Sequence, residues 1–142
     1  MGAARFTIDT RLDAVASLAA DVRATCLTLG LDEDAASELE LAVVEAATNV
    51  IRHGYGDRPG GRLEVIIGAD AGGGVRAEVL DGGRPIPVGQ LEQAEITFPL
   101  DDLDDIPDSG RGLALIKLSV DEWAYQSGPG GNRLTLIKRP SA

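Results

Sequence analysis

Glu45, Asn49 and Arg52 are the residues whose types and spacing first suggest chemistry. At i, i+4 and i+7 they share one face of a helix. Asparagine is a mediocre helix former, but its side-chain oxygen is a neutral, hard ligand that suits Mg²⁺ beside water and phosphate oxygens. Asn49 is therefore a candidate metal ligand. The alternative is an ordinary solvent-exposed polar stripe on an amphipathic helix.

Asp81 is a second candidate, because it closes a strand-like run and is followed by Gly82 and Gly83. Glycines let the backbone approach a ligand closely, so the carboxylate of Asp81 can face a cavity at the end of the strand. There it could accept the amino protons of adenine. Taken alone, Asp-Gly-Gly is also an ordinary turn sequence.

A run of small residues at a predicted helix start is the third candidate, and it consists of Ser109, Gly110, Arg111, Gly112 and Leu113. Backbone amides at a helix N-terminus favour a phosphate, and Arg111 can add a charge-assisted hydrogen bond. The phosphate-loop spacing Gly-x-x-x-x-Gly-Lys-Ser/Thr does not occur in the sequence. A nucleotide would therefore be held in a different way.

Two helices are predicted to position the first of these groups. Apolar residues at helical spacing predict a helix from Leu12 to Leu29, closed by Gly30, after a short β-prone segment. Asp32 can cap a second, long helix that runs to about Arg52. Glu45 and Asn49 fall in the last turns of that second helix.

Strands are predicted to position the other groups. Arg62–Ala69 and Val75–Leu80 are strand-like and joined by a glycine-rich turn, which predicts an antiparallel hairpin. Gly110 opens a helix to about Ser119, and a second strand pair follows at Glu122–Gln126 and Leu134–Lys138. The turns are too short for parallel crossovers. We expect an α/β two-layer sandwich with helices on a mainly antiparallel or mixed sheet, which excludes a Rossmann fold.

The segment from Ile86 to Asp108 has no regular pattern. It contains Pro87, Pro99 and Pro107 and a cluster of aspartates. This composition predicts a mobile surface loop beside the site.

The single cysteine and the single histidine limit metal and redox chemistry. With only Cys26 and His53, one chain can assemble neither a disulfide framework nor a zinc cluster. Cys26 lies in an apolar helical pattern and is predicted to be a core residue. His53 is interpreted as a helix-end cap or packing group, because no second catalytic residue pattern surrounds it.

Length and charge exclude further classes. A chain of 142 residues suits one domain, here residues 1–142. It has 13 Lys and Arg against 23 Asp and Glu, a net charge of −10, which argues against direct binding to nucleic acid. The N-terminal segment lacks an apolar signal region, and no apolar run reaches the roughly 18 residues of a membrane span. We expect a cytoplasmic protein without membrane contact.

Four motifs in sequence order resemble the N, G1, G2 and terminal glycine boxes of the GHKL ATPases. They are Glu45–Asn49, Asp81–Pro85, Gly110–Leu113 and Gly130–Asn132. The His-Gly-Tyr after the first motif, the Gly-Arg-Gly-Leu-Ala-Leu-Ile run and Val120-Asp121-Glu122 are similar to the RsbW/SpoIIAB anti-sigma-factor kinases. This likeness covers nearly the whole chain.

The resemblance implies a Bergerat sandwich that binds ATP and Mg²⁺, with a mobile ATP lid at about residues 86–109. It implies Glu45 as general base, Asn49 as Mg²⁺ ligand and Asp81 as adenine reader. The remaining nucleotide-binding residues that it implies are Arg52, Gly83, Pro85, Ser109, Gly110, Arg111, Gly112, Leu113 and Asn132. Arg84 or Arg52 could replace Arg111 at the terminal phosphate. Asn132 stands where many relatives have a hydroxyl that helps to read adenine, and its amide can still donate and accept hydrogen bonds.

The function implied by the resemblance is that of a partner-switching serine/threonine kinase. It would phosphorylate a STAS-domain anti-anti-sigma protein and sequester a sigma factor or similar regulator, and self-association as a homodimer is left open. The alternative is a catalytically idle, ATP-binding switch of the same fold. A histidine-kinase fragment fits less well, because the domain begins almost at Met1 and no helix pair with a phosphoacceptor histidine precedes it.

Overall fold

The computed structural model of the chain describes residues 3–94 and 108–141, and the side chains of residues 108–110 lie outside the described part. Its strands are β1 (Ala4–Thr7), β2 (Leu63–Ala69), β3 (Val75–Asp81), β4 (Glu122–Gly128) and β5 (Gly131–Lys138). They form one antiparallel sheet in the order β1-β2-β3-β5-β4. Both predicted hairpins, β2–β3 and β4–β5, are confirmed.

The helices cover one face of this sheet. They are α1 (Val15–Thr28), α2 (Glu33–Asn49), α3 (Gln90–Gln93) and α4 (Asp108–Ser119). The central helix α2 packs between α1 and α4 and contacts β3 and β5. The predicted two-layer α/β sandwich is confirmed, and its described sheet is antiparallel throughout. In the described part of the chain, no helix is long and apolar enough to cross a bilayer.

The two long helices begin and end close to the predicted positions. A 3₁₀ turn at Leu12–Ala14 precedes α1, and the side chain of Asp32 caps α2 by accepting a hydrogen bond from the Ala35 amide at 3.3 Å. The regular part of α2 ends at Asn49 and continues as a π-helical turn, Val50–Gly54. Such wide turns are often found at functional sites.

Strand alternation builds the core and also brings polar residues into it. The inward residues of β3 are Val75, Ala77, Val79 and Asp81, and those of β5 are Asn132, Leu134, Leu136 and Lys138. Because side chains alternate between the two faces of a strand, Asp81 and Asn132 point to the helical side with the apolar residues. They are also direct partners in the register of β3 and β5.

Cys26 is a core residue, as predicted. It is fully buried under α2, and this burial raises the pKa of its thiol to about 11. The thiolate fraction at neutral pH is therefore very small, and Cys26 acts as an apolar packing group.

The segment predicted as an irregular loop is partly helical. Leu91 is buried and anchors the single turn of α3, while α4 begins at Asp108 rather than at Gly110. The ammonium group of Lys117 donates to the carbonyl oxygens of Glu92 at 2.8 Å and Ala94 at 2.9 Å, which ties the end of α3 to α4. Residues 95–107 of the predicted lid lie outside the described residues.

Candidate functional site

A cavity of about 260 Å³ lies between the end of α2, the adjacent ends of β3 and β5, and the segment that leads into α3. Its described wall consists of Ala46, Asn49, Val50, His53, Gly54, Val79, Asp81, Arg84, Pro85, Ile86, Pro87, Gln90, Leu113, Ile116, Tyr125 and Leu134. The wall is mainly apolar, with a few polar groups that converge on it. This is the composition of a small-molecule site.

Asp81 forms the polar end of the cavity. Its Oδ1 accepts hydrogen bonds from the Asn132 amide at 2.8 Å and from the Gly83 backbone at 2.8 Å. Asn132 also donates to the carbonyl oxygen of Gly83 at 2.9 Å. The three residues form a closed ring of hydrogen bonds, which fixes the carboxylate plane and leaves Oδ2 as the oxygen that can accept from a ligand.

Burial changes the acidity of this carboxyl. Asp81 is 4% exposed, and desolvation raises its pKa, while the hydrogen bonds from Asn132 and Gly83 and the charge of Arg62 lower it. A buried carboxylate has lost hydrogen bonds to water, so a ligand that donates an N–H group can restore one. The position suits recognition of an amino group rather than of an anion.

Asn49 lies on the opposite side of the cavity, on the last turn of α2. Its half-buried side chain is in the wall with Ala46 and Val50. One neutral oxygen at this place fits Mg²⁺, which is commonly held by one or two protein groups together with substrate phosphates. In the described residues there is no cluster of three or more His, Cys, Asp or Glu.

Glu45 lies one turn before Asn49 and beside the cavity rather than in its described wall. Gly112 of α4 lies against it, since a Cβ on this glycine would come within 3.1 Å of Glu45 Oε2. Burial raises the pKa of Glu45, and the charge of Arg52 lowers it. A half-buried carboxylate with a raised pKa, at the junction of α2 and α4, is a candidate general base.

The other predicted nucleotide contacts divide into three groups. Pro85 and Leu113 lie in the cavity wall, and Gly83 and Asn132 lie directly behind it. Arg52 is exposed and lies outside the wall. Arg111 and Gly112 lie in the first turns of α4. The side chains at Ser109 and Gly110 lie outside the described part. Of the three arginines proposed for the terminal phosphate, Arg84 is the one found in the wall.

The sequence analysis did not assign His53 and Tyr125 to the site. The π-helical turn carries His53 and Gly54 in the cavity wall, and His53 continues the i, i+3, i+4, i+7 spacing of Ala46, Asn49 and Val50. Tyr125 faces inward from β4, and its hydroxyl oxygen accepts from the Ile86 amide at 2.9 Å. The alternation of β4 could have indicated Tyr125, and the i, i+4 spacing from Asn49 could have indicated His53.

The backbone of Gly83 approaches Gly54 too closely for any side chain. A Cβ on Gly83 would lie 2.8 Å from both the carbonyl carbon and the carbonyl oxygen of Gly54, and Arg84 donates to that same oxygen at 2.8 Å. This contact joins the end of β3 to the π turn after α2. Both walls of the cavity are thereby fixed to each other.

We expect Gly83→Ala to destabilise the protein by about 1–3 kcal/mol, because backbone atoms cannot move aside as a side chain can. Gly82→Ala is the matched control, since its Cβ would meet only the Tyr55 hydroxyl at an ordinary 3.4 Å. Free energies of unfolding from urea titrations check the difference. Equal losses in the two variants would show that the approach to Gly54 is not tight.

Comparison with known proteins supports a nucleotide site. Residues 8–138 match the family described as the histidine kinase-like ATPase domain. The chain is 31% identical over 105 residues to the serine-protein kinase RsbW of Bacillus velezensis, a match that covers 72% of this chain and 64% of the relative. The chain therefore spans less than two thirds of that relative's length.

Two solved structures have the same fold. A structure of the RsbU and RsbW domains of Rv1364c from Mycobacterium tuberculosis matches with a TM-score of 0.66 and 24% identity, over 99% of this chain and 34% of that one. The histidine kinase domain of a blue-light activated histidine kinase from Erythrobacter litoralis matches with a TM-score of 0.57 and 19% identity, over 91% of this chain and 60% of that one.

The fold and the cavity together define a histidine kinase-like ATPase domain. The chain belongs to that family. Within it, the chain is a GHKL ATPase of the RsbW type.

Proposed function

We propose that this domain binds ATP with Mg²⁺ in the cavity and transfers the terminal phosphate to a serine or threonine hydroxyl of a protein. The observation that carries the proposal is the buried carboxylate of Asp81, which Asn132 and Gly83 hold at the end of a mainly apolar cavity. An ionised acceptor in such a place suits the exocyclic amino group of adenine. Guanine presents a carbonyl oxygen at that position and would be repelled.

The phosphates would then extend towards Asn49 and the first turn of α4. Asn49 would hold Mg²⁺, and the bound ion would neutralise part of the negative charge of the phosphates. Arg111 is proposed as the arginine at the phosphates, and Arg84 is the alternative that its place in the wall supports. Arg52, Gly83, Pro85, Ser109, Gly110, Gly112, Leu113 and Asn132 would complete the nucleotide site.

Glu45 would act on the accepting hydroxyl. Its carboxylate would take the proton of the serine Oγ as this oxygen forms a bond to the terminal phosphorus and the bond to the ADP oxygen breaks. Such a transfer depends mainly on positioning and charge stabilisation, and a well-placed base adds to both. The place of Glu45, one helical turn from Asn49, supports this role.

The proposed partners follow the relatives. The chain resembles a serine-protein kinase named RsbW, which supports phosphorylation of a STAS-domain anti-anti-sigma protein and sequestration of a sigma factor or similar regulator. A homodimer is compatible with this role. The net charge of −10 disfavours direct contact with nucleic acid.

Binding of nucleotide is the first test. Titration calorimetry should detect ATP and ADP with Mg²⁺, with affinity for GTP lower by at least about tenfold, since the wrong base leaves the Asp81 carboxylate unpaired. A chelator should weaken binding of ATP if Asn49 shares a metal with the phosphates. Absence of adenine nucleotide binding, or equal affinity for ATP and GTP, would contradict the proposal.

A further inference from the structure

Asn132 has no hydrogen-bond donor left over for a direct contact with the base, because both hydrogens of its amide already have partners. Its Nδ2 donates to Asp81 Oδ1 at 2.8 Å and to the Gly83 carbonyl oxygen at 2.9 Å. Its Oδ1 accepts from the Ser127 hydroxyl at 2.7 Å. With 5% of its surface exposed, Asn132 cannot turn towards the cavity without losing these partners.

The orientation of this amide is fixed by its partners on the side of Asp81. A reversed amide would place its oxygen against Asp81 Oδ1 and the Gly83 oxygen, which are both acceptors. The strand register supports the arrangement, because Asn132 lies opposite both Asp81 on β3 and Ser127 on β4. Ser127 is exposed at the outer end of the sheet, on the far side of Asn132 from the cavity.

We propose that Asn132 is a positioning residue for base specificity, which Ser127 holds in place and which orients Asp81 instead of contacting the nucleotide. The inference rests on the proposed function, because Asp81 must be the group that reads the base. It differs from the role implied by family resemblance, in which the residue at position 132 contacts the nucleotide. The relay consists of Ser127, Asn132 and Asp81.

The charge state of Asp81 gives this relay a second effect. Burial raises the pKa of Asp81, and the hydrogen bond from Asn132 is the largest of the effects that lower it. Donation to Oδ1 therefore keeps the carboxylate ionised as well as oriented. When Ser127 no longer fixes the amide, this donation weakens and the pKa of Asp81 rises further.

Ser127→Ala is the decisive variant, because it removes the outer end of the relay without touching the cavity. We expect a higher pKa for Asp81 in the nucleotide-free variant. A pH titration of the carboxyl ¹³C NMR signal measures it. We also expect ATP affinity about two- to tenfold lower at neutral pH, with a smaller preference over GTP. Gln126→Ala, an exposed neighbour on the same strand, is the control and should change none of these quantities.

Asn132→Asp is the second variant, since it keeps the shape but places a carboxylate against Asp81. Its loss of ATP affinity should exceed that of Ser127→Ala. An unchanged Asp81 pKa and nucleotide preference in Ser127→Ala would overturn the relay, as would wild-type ATP affinity in Asn132→Asp. The titration needs no nucleotide. A wild-type protein that binds no ATP would therefore refute the proposed function, while the Asp81 shift would still decide whether the relay exists.

Discussion

Asp81→Asn should lower the affinity for ATP by roughly 10- to 150-fold, the loss expected when a hydrogen bond to a charged group is removed. The substitution is nearly isosteric. The side-chain oxygen of asparagine can still accept from Asn132 and Gly83, as Asp81 Oδ1 does at 2.8 Å in each case. The other oxygen becomes an NH₂ group, which would face the amino group of adenine as a second donor. Titration calorimetry with ATP and Mg²⁺ measures the loss.

The same variant should not weaken the nucleotide-free fold. Burial raises the pKa of Asp81 in the folded protein above its value in the unfolded chain. Protonated Asp81 therefore stabilises the fold at low pH, and this stabilisation is lost as the pH rises through the folded-state pKa. At pH 7 the buried charge opposes folding, and a neutral asparagine removes this cost. The thermal midpoint of Asp81→Asn at pH 7 should therefore equal or exceed that of the wild type.

Asp21→Asn is the matched control, since it removes an exposed carboxylate on α1 far from the cavity. It should change neither ATP affinity nor stability appreciably. Wild-type affinity in Asp81→Asn would remove Asp81 from the role of base reader. A loss of affinity together with a large fall in the thermal midpoint would instead point to a structural role.

The fold could be predicted from the sequence because its elements have clear periodicity. The alternation of apolar and polar residues in Val75–Asp81 and the helical spacing of apolar residues before Gly30 are local properties of the sequence. The turns within the two hairpins are too short for a parallel crossover, so these strands had to pair antiparallel. The side chain of Asp32 caps α2 as its residue type suggests. Burial of Cys26 followed from its apolar neighbours in the same way.

The connections within the site could not be predicted, because they depend on register and on non-regular backbone. The pairing of Asp81 with Asn132 requires the exact alignment of β3 and β5, which are separated in the chain by α3, α4 and β4. The π turn after Asn49 brings Gly54 against Gly83, and this contact between distant segments has no local signal in the sequence. Leu91 forms α3 through a tertiary contact, and tertiary contacts override weak local preference.

Glu45→Gln should lower phosphotransfer about 10²- to 10⁴-fold and leave ATP affinity nearly unchanged, because a positioned base acts on the accepting hydroxyl and not on the nucleotide. Glutamine keeps the size of the side chain that packs against Gly112. Transfer from radiolabelled ATP to a STAS-domain protein of the same host measures the rate. Burial raises the pKa of Glu45, so this base becomes protonated at a higher pH than an exposed glutamate would. The wild-type rate should therefore begin to fall at that higher pH as the pH is lowered. The rate of the Glu45→Gln variant should not show this fall at low pH.

Two further variants separate the roles of neighbouring groups on α2. Glu40→Gln removes another half-buried carboxylate of the same helix, which forms a surface ion pair with Arg23 at 3.6 Å, and should leave transfer intact. Asn49→Ala should instead weaken Mg²⁺-dependent ATP binding, because it removes the proposed metal ligand. A wild-type transfer rate in Glu45→Gln would assign the base to another residue. If the wild type binds both ATP and the STAS protein but transfers no phosphate, the domain is an ATP-dependent binding switch. The half-buried side chain of Glu45 against Gly112 then serves the packing of α2 on α4.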